Sequence, residues 1–233
     1  MTMRPVLAGL AAVVRNAAEF MNLLAKHPPK SAAGWLRVLT PSDVVPPAPE
    51  LAARLASKVG SARLCVEAGR DAQWDELLLT HADWRGIARV QRRVVTAGSP
   101  AERELAAFAA ALQHARPLAG AAWVRDYLAR VRTIYAIQPL PGAWEADGCD
   151  DVAAVRNALW ARLDGILQAD DRGFTNERGC QVVWQVPEPA SGSMWMAVLK
   201  DDAWVDFEMA LDDPAQRTHF LRGEVPPGAR LAG

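Results

Sequence analysis

The sequence predicts an α+β protein: a mainly helical body, then a small antiparallel β-meander of about three strands and a short C-terminal helix. Helix start signals and helically spaced apolar residues dominate the chain to about residue 171. From Gly173 onward apolar and polar residues alternate instead, as they do in strands with one buried face. We therefore divide the chain into 1–171 and 172–233. Three strands alone are marginally stable, so we expect the meander to pack on the helical body as one cooperative unit.

The composition is that of an ordinary globular protein. Of the 233 residues, 51% are hydrophobic and 23% are charged, and the net charge is −1, which excludes a disordered chain. The three cysteines form no C-x-x-C pair, which argues against a disulfide framework and a structural zinc site. No apolar run approaches the roughly 20 residues that span a bilayer. We expect a cytoplasmic protein without membrane attachment, and the preference for arginine over lysine is typical of bacterial genomes rich in G and C.

Helical patterns recur along the predicted body. The first 26 residues read as an amphipathic helix, with a cleaved signal peptide as the weaker alternative. The clearest start is SPAE, where Ser99 fits the N-cap, Pro100 the first helical position and Glu102 the third. The segment at 62–69 fits either a strand or a buried turn. Further helices are predicted at 31–39, 49–58, 71–79, 83–95, 99–116, 118–137 and 150–166.

The stretch SMWMAVLKDDAWVDFEM, residues 193–209, predicts a β-hairpin with Asp201 and Asp202 in its turn. This turn places Met194, Met196 and Val198 opposite Met209, Phe207 and Val205, so that all six share one apolar face. A slip of one residue would scatter them, so the pattern selects this register. A third strand at 180–186 would extend the apolar face with Val182, Trp184 and Val186.

The other face of this hairpin is mixed in character. It combines two indoles and a leucine with two carboxylates, which suits neither a plain solvent face nor a plain core. Tryptophan is enriched in interface hot spots, and exposed acidic groups steer basic partners. We therefore take this face as the candidate protein-binding site. Its residues are Trp195, Leu199, Trp204, Asp206 and Glu208.

Charge is distributed unevenly along the chain. Residues 84–136 contain nine basic and three acidic groups, whereas 137–171 contain two and seven. Arg85, Arg89 and Arg92 would share one face of the predicted helix, with Arg93 beside them. Such a stripe suits an anion or a partner contact. It equally suits a solvated helix face or a contact with the protein's own acidic part.

No catalytic motif is present. The carboxylates at 145, 147, 150 and 151 could bind a divalent cation, but their spacing is not that of a calcium loop, and Asp150 fits a helix cap. The four histidines are far apart, so a Cys–His pair such as Cys180 with His219 would have to assemble through the fold. We therefore expect no metal site and no cofactor.

These observations favour a non-enzymatic bacterial protein that acts by protein–protein binding, as a subunit, an adaptor or a toxin-immunity type of partner. One alternative is a nucleic-acid-associated subunit that uses the four arginines. The other is a hydrolase whose site residues come from distant positions; Asp206 and Glu208, on one strand face, could serve as paired carboxylates.

Overall fold

The computed structural model describes residues 34–56, 62–145, 147–170, 172–186 and 188–232. The amphipathic helix predicted for the first 26 residues lies outside these ranges. Within them, no helix is both long and apolar enough to cross a membrane.

The fold is α+β but rich in sheet, so the prediction of a mainly helical body with a small meander is wrong. A seven-stranded antiparallel sheet and a three-stranded sheet account for the strands, and the described residues contain five α-helices. The strands are β1 Leu36–Thr40, β2 Arg63–Arg70, β3 Gln73–Thr80, β4 Gly86–Val94, β5 Thr133–Pro139, β6 Ile166–Ala169, β7 Gly173–Phe174, β8 Ser193–Lys200, β9 Ala203–Ala210 and β10 Arg230–Leu231. The helices are α1 Ala48–Ala56, α2 Pro100–Ala111, α3 Leu118–Leu128, α4 Gly148–Leu163 and α5 Pro214–Leu221, with 3-10 turns at Leu112–His114 and Pro141–Trp144.

The chain divides into two compact units, each built from separate segments. The described part of the first comprises residues 34–104 and 130–170, and we call it the large-sheet unit. The described part of the second comprises 105–129 and 172–232, and we call it the hairpin unit.

The large-sheet unit is organised around antiparallel strands in the order β2-β3-β4-β5-β1-β6. Helix α4 contacts β1, β4 and β5, and α1 contacts both α4 and β2. The predicted apolar stripe of α4 is confirmed, since Val152, Val155 and Leu159 are buried. The strands supply a matching set of fully buried residues, Val38, Leu77, Val90, Tyr135 and Ile137.

The hairpin unit contains the three-stranded sheet, in the order β10-β9-β8. The predicted hairpin register is confirmed: Met194 pairs with Met209, and Met196 with Phe207. Asp201 and Asp202 both have positive φ, 49° and 60°, as a type I′ turn requires. The apolar face forms a buried cluster with α5, consisting of Val186, Met196, Val198, Phe207, Met209, Leu211 and Phe220.

Two local predictions in this unit have different outcomes. Asp213 caps α5 as expected, because its carboxylate accepts hydrogen bonds from the backbone N–H groups of Ala215 and Gln216. The segment at 180–186 is not a third strand; Gln181 alone makes isolated bridges, to Met196 and to Thr175. It still supplies buried side chains, among them Val182 and Val186.

The helices predicted at 71–79 and 83–95 are wrong, because these residues form β3 and β4. The helix around Trp35 is also wrong, and Leu36–Thr40 is β1. The helix after Pro117 ends at Leu128, and the chain continues into β5. Tertiary pairing overrides the local preference of Leu, Glu, Gln and Arg for helix. The helix that begins at Pro100 is confirmed, since the Ser99 hydroxyl accepts the N–H of Glu102 at 3.1 Å.

Candidate functional site

The two tryptophans on the outer face of the hairpin differ in exposure. Trp195 is only 4% exposed, and the guanidinium of Arg230 lies 5.3 Å from the centre of its ring. Trp204 is half-buried, and its ring meets that of Trp123 edge to face at 5.0 Å. Leu199, which pairs with Trp204, is also half-buried. Helix α3 and β10 of the same unit therefore supply groups that cover much of this face.

The carboxylates of this face have partners within the unit. Asp206 forms an ion pair with Arg178 at 3.1 Å and accepts a hydrogen bond from Asn176. Burial raises the pKa of Asp206, although Arg178 opposes that shift. Glu208 accepts a hydrogen bond from Ser193 at 2.7 Å and pairs with Arg230. The fold thus brings the predicted hairpin residues together, with their carboxylates engaged in internal ion pairs.

The four arginines do not form the predicted helical stripe. On β4, Arg89 and Arg93 point to one side of the sheet and Arg92 to the other, because side chains alternate along a strand. Arg85 precedes the strand. Each of the four forms an ion pair with at least one carboxylate: Arg85 with Asp83 and Glu145, Arg89 with Glu76, Arg92 with Asp75, and Arg93 with Glu104.

Arg89 and Arg93 belong to a polar network along one face of the large sheet. The Glu76 carboxylate accepts hydrogen bonds from Arg89 and Gln91, and the side-chain amide oxygen of Gln91 accepts one from Arg93 at 2.6 Å. Glu104 then joins Arg93 to Arg37, whose side chain is 8% exposed. Arg37 also donates to Gln168 and Asp170. Three guanidinium groups meet three carboxylates in this network, so its charges are balanced internally, which disfavours the binding of an external anion.

A different surface presents exposed aromatic side chains. Trp84 is 63% exposed in the loop between β3 and β4, and Trp144 is 39% exposed at the end of the 3-10 turn after β5. The Arg85–Glu145 ion pair joins the residues that follow these two tryptophans. We call this the tryptophan surface, and define it as Trp84 and Trp144 with their charged neighbours Asp83, Arg85 and Glu145.

Hydrogen bonds hold the two loops of the tryptophan surface in place. The His81 N–H donates to the Arg85 carbonyl at 2.9 Å, and the Trp84 N–H donates to the His81 carbonyl at 3.0 Å. The His81 Nε2 lies 3.0 Å from the Gly142 carbonyl oxygen, which connects the loops. A Cβ on Gly142 would lie 2.5 Å from the Gly86 carbonyl oxygen, so the close approach requires glycine.

The backbone at Trp84 adopts the left-handed conformation, with φ of 70°. This conformation is unusual for a bulky residue and costs on the order of 1–3 kcal/mol. The hydrogen bonds around His81 hold the loop in this shape. The fold therefore maintains a strained backbone in a loop that exposes an indole ring.

Asp151 lies in the first turn of α4, close to the same loops. Asp151 is fully buried, and within the described part of the chain neither oxygen of its carboxyl has a hydrogen-bond partner. Burial raises the pKa of Asp151; the electrostatic interaction with His81 opposes that shift, and those with Asp147 and Asp150 add to it. The acidic residues noted in the sequence thus do cluster here, but no group of three or more potential metal ligands occurs among the described residues.

The Cys180–His219 pair considered from the sequence does not form. Cys180 is buried and hydrogen-bonds to Asp206, and desolvation raises the pKa of its thiol strongly. The Nδ1 of His219 lies 2.8 Å from the Glu224 carboxylate instead. Both residues therefore have other partners within the hairpin unit.

Sequence reasoning missed Trp84 and Trp144. A helix prediction placed Trp84 inside a regular element, and the loop around Trp144 drew attention only for its carboxylates. A signal was available, because each indole adjoins glycine, proline or acidic residues that mark turns. Comparison with known proteins adds no assignment, since no family model, curated protein or solved structure matches the chain.

Proposed function

We propose that this chain is a bacterial cytoplasmic protein that acts by binding another protein through the tryptophan surface. The observation that carries the proposal is the exposure of Trp84 and Trp144, 63% and 39%, on two loops joined by the His81–Gly142 and Arg85–Glu145 contacts. Tryptophan is prominent among the residues that dominate binding energy in protein interfaces. Such a role suits a subunit, an adaptor or a toxin-immunity type of protein.

The energetics support binding over incidental exposure. Single exposed apolar residues are common on protein surfaces and need no explanation. Here two large indoles project from neighbouring loops, and one loop holds its backbone in a strained conformation. A buried aromatic side chain contributes a large apolar area to an interface and loses little conformational entropy. Loops that are already ordered also lower the entropic cost of association.

The outer face of the hairpin supports a second, smaller contact. Trp204 and Leu199 remain half-buried there, so their outer edges are open to a partner. Trp195 is buried, and Asp206 and Glu208 are engaged with Arg178 and Arg230. Binding at this face would therefore rest on Trp204 and Leu199, and we rank it below the tryptophan surface.

Site-specific photo-crosslinking in the source cells tests the proposal. Benzoylphenylalanine at position 84 or 144 is expected to trap one protein reproducibly. The same group at Leu118, which is 60% exposed in the hairpin unit, is expected not to trap it. With the purified partner, Trp84→Ala should weaken binding about tenfold or more, and Leu118→Ala should change it little. Equal effects of the two alanine variants, or no crosslink at either tryptophan, would reject the tryptophan surface.

A further inference from the structure

The charges around the tryptophan surface are predominantly negative. Exposed carboxylates at this end of the unit belong to Asp83, Glu145, Asp147 and Asp150, and exposed guanidinium groups belong to Arg63 and Arg85. The exposed side chains of this region therefore carry four negative charges and two positive ones. The Asp83 carboxylate is ionised, because hydrogen bonds from Arg85 lower its pKa.

The buried carboxyl of Asp151 adds an independent observation. Among the residues that the structure describes, its two oxygens have no hydrogen-bond partner although the side chain is fully buried. It interacts electrostatically with His81 from one loop, with Asp147, which precedes its helix, and with Asp150 in the first turn of that helix. A carboxyl that is buried without a hydrogen bond costs folding free energy. The fold nevertheless retains an acidic side chain next to Asp147 and Asp150.

The Trp84 ring already contacts a cationic side chain of the protein itself. The guanidinium of Arg63, on β2, lies 5.2 Å from the centre of the ring. This geometry is that of a cation–π contact, in which the negative face of the indole attracts positive charge. Because an aromatic ring has two such faces, the face opposite Arg63 has the same preference. An arginine or lysine of a partner would meet both an indole and nearby carboxylates.

We infer that the partner presents an arginine- or lysine-bearing protein segment to the tryptophan surface; this inference rests on the function proposed above. The indoles supply apolar contact and cation–π attraction, and the surrounding carboxylates supply complementary charge and faster association. Nucleic acid is disfavoured as the occupant, because its phosphates would meet an excess of carboxylates. A second copy of this chain is the remaining alternative, which the experiment separates.

Indole N–H NMR signals test the inference directly. Trp84→Phe and Trp144→Phe assign the two signals. A short peptide of alternating arginine and glycine is expected to shift both signals, and the shift should diminish as salt is added. The same peptide with glutamate in place of arginine, and a single-stranded oligonucleotide, should shift neither. Equal shifts from both peptides, shifts from the oligonucleotide, or no shift from the arginine peptide would overturn the inference.

A pair of charge variants provides the matched control. Asp147→Asn with Asp150→Asn removes two negative charges near the surface, and Asn is compatible with the left-handed φ of 59° at position 147. The arginine peptide should then bind about threefold to tenfold more weakly. Asp201→Asn with Asp202→Asn makes the same charge change in the turn of the hairpin unit and should leave the affinity unchanged. An equal loss of affinity for the arginine peptide in the two double variants would contradict a local electrostatic contact.

Two further outcomes keep the proposals separate. If the indole signals shift as the protein alone is concentrated, a second copy occupies the surface and the inference fails. If the arginine peptide has no effect but position 84 still crosslinks a protein, then protein binding stands and only the basic character of the partner is wrong.

Discussion

At the scale of single residues, Asp151 shows how a buried charge connects stability with pH. Its pKa is raised, so between the ordinary value of 3.8 and its folded value the folded protein binds more protons than the unfolded chain. Stability contributed by this group is therefore greatest at low pH and falls as the pH rises through that window. The cost at neutral pH is the desolvation of a carboxylate that lacks hydrogen bonds.

Asp151→Asn should therefore stabilise the protein at neutral pH, because it removes the charge with little change of shape. We expect the free energy of unfolding to rise by roughly 1–3 kcal/mol at pH 7. The gain should shrink toward zero as the pH falls below the ordinary value of 3.8, where the Asp151 carboxyl is protonated in both the folded and the unfolded state. Urea denaturation at several pH values measures this. Asp150→Asn, an exposed neighbour, is the control, and a gain that is independent of pH would contradict the explanation.

The cysteines provide a second prediction at this scale. Burial raises the pKa of Cys180 strongly and also raises that of Cys149, but Cys180 is buried whereas Cys65 and Cys149 are partly accessible. Because the thiolate is the reactive form, Cys180 should resist a thiol reagent in the folded protein. We expect a chromogenic disulfide to label Cys65 and Cys149 first, and all three cysteines in denaturant. Cys180→Ser should leave the number of thiols labelled in the native state unchanged; loss of a fast-reacting thiol in this variant would show that Cys180 is accessible.

At the scale of elements, the hairpin could be predicted from the sequence and β4 could not. In the hairpin, one apolar face and one turn fix the register, and both are local in sequence. In β3 and β4, charged side chains such as Glu76 and Arg89 are satisfied by partners on other strands and on α2. Their spacing resembles a solvated helical face, and nothing local shows that Glu76 and Glu104 lie opposite Arg89 and Arg93.

The turn of the hairpin allows a prediction about an element. Asp201 and Asp202 both occupy the left-handed region, which glycine adopts without steric cost. Asp202→Gly creates the Asp-Gly pair that type I′ turns favour, and should stabilise the protein by about 0.5–1 kcal/mol. Asp202→Ala should destabilise the protein, because the left-handed backbone brings the alanine Cβ too close to the following carbonyl oxygen. Alanine also has no side-chain oxygen that could offset this cost with a local hydrogen bond. Thermal unfolding of the two variants checks this; the opposite order of stability would show that the turn changes shape.

At the scale of the whole molecule, the sequence identified the α+β class and the closing helix but underestimated the sheet. The strands β1, β5 and β6 pair across long sequence separations, so no local sequence pattern predicts them. The candidate site was missed for the same reason, because the loops that carry Trp84 and Trp144 meet only once β4 and β5 have paired. Side chains that a single element brings together, as in the hairpin, could be read from the sequence.

The distribution of charge disfavours binding to nucleic acid. Overall charge is −1, and Arg85, Arg89, Arg92 and Arg93 are each paired with a carboxylate. Binding to nucleic acid derives mainly from cations that neutralise phosphates, and arginines that are already neutralised contribute little of it. We therefore expect labelled DNA and RNA to show no salt-sensitive change in fluorescence anisotropy with this protein. An affinity that falls steeply with salt and is lost in Arg89→Glu would instead favour the nucleic-acid alternative and would place the binding surface on β4.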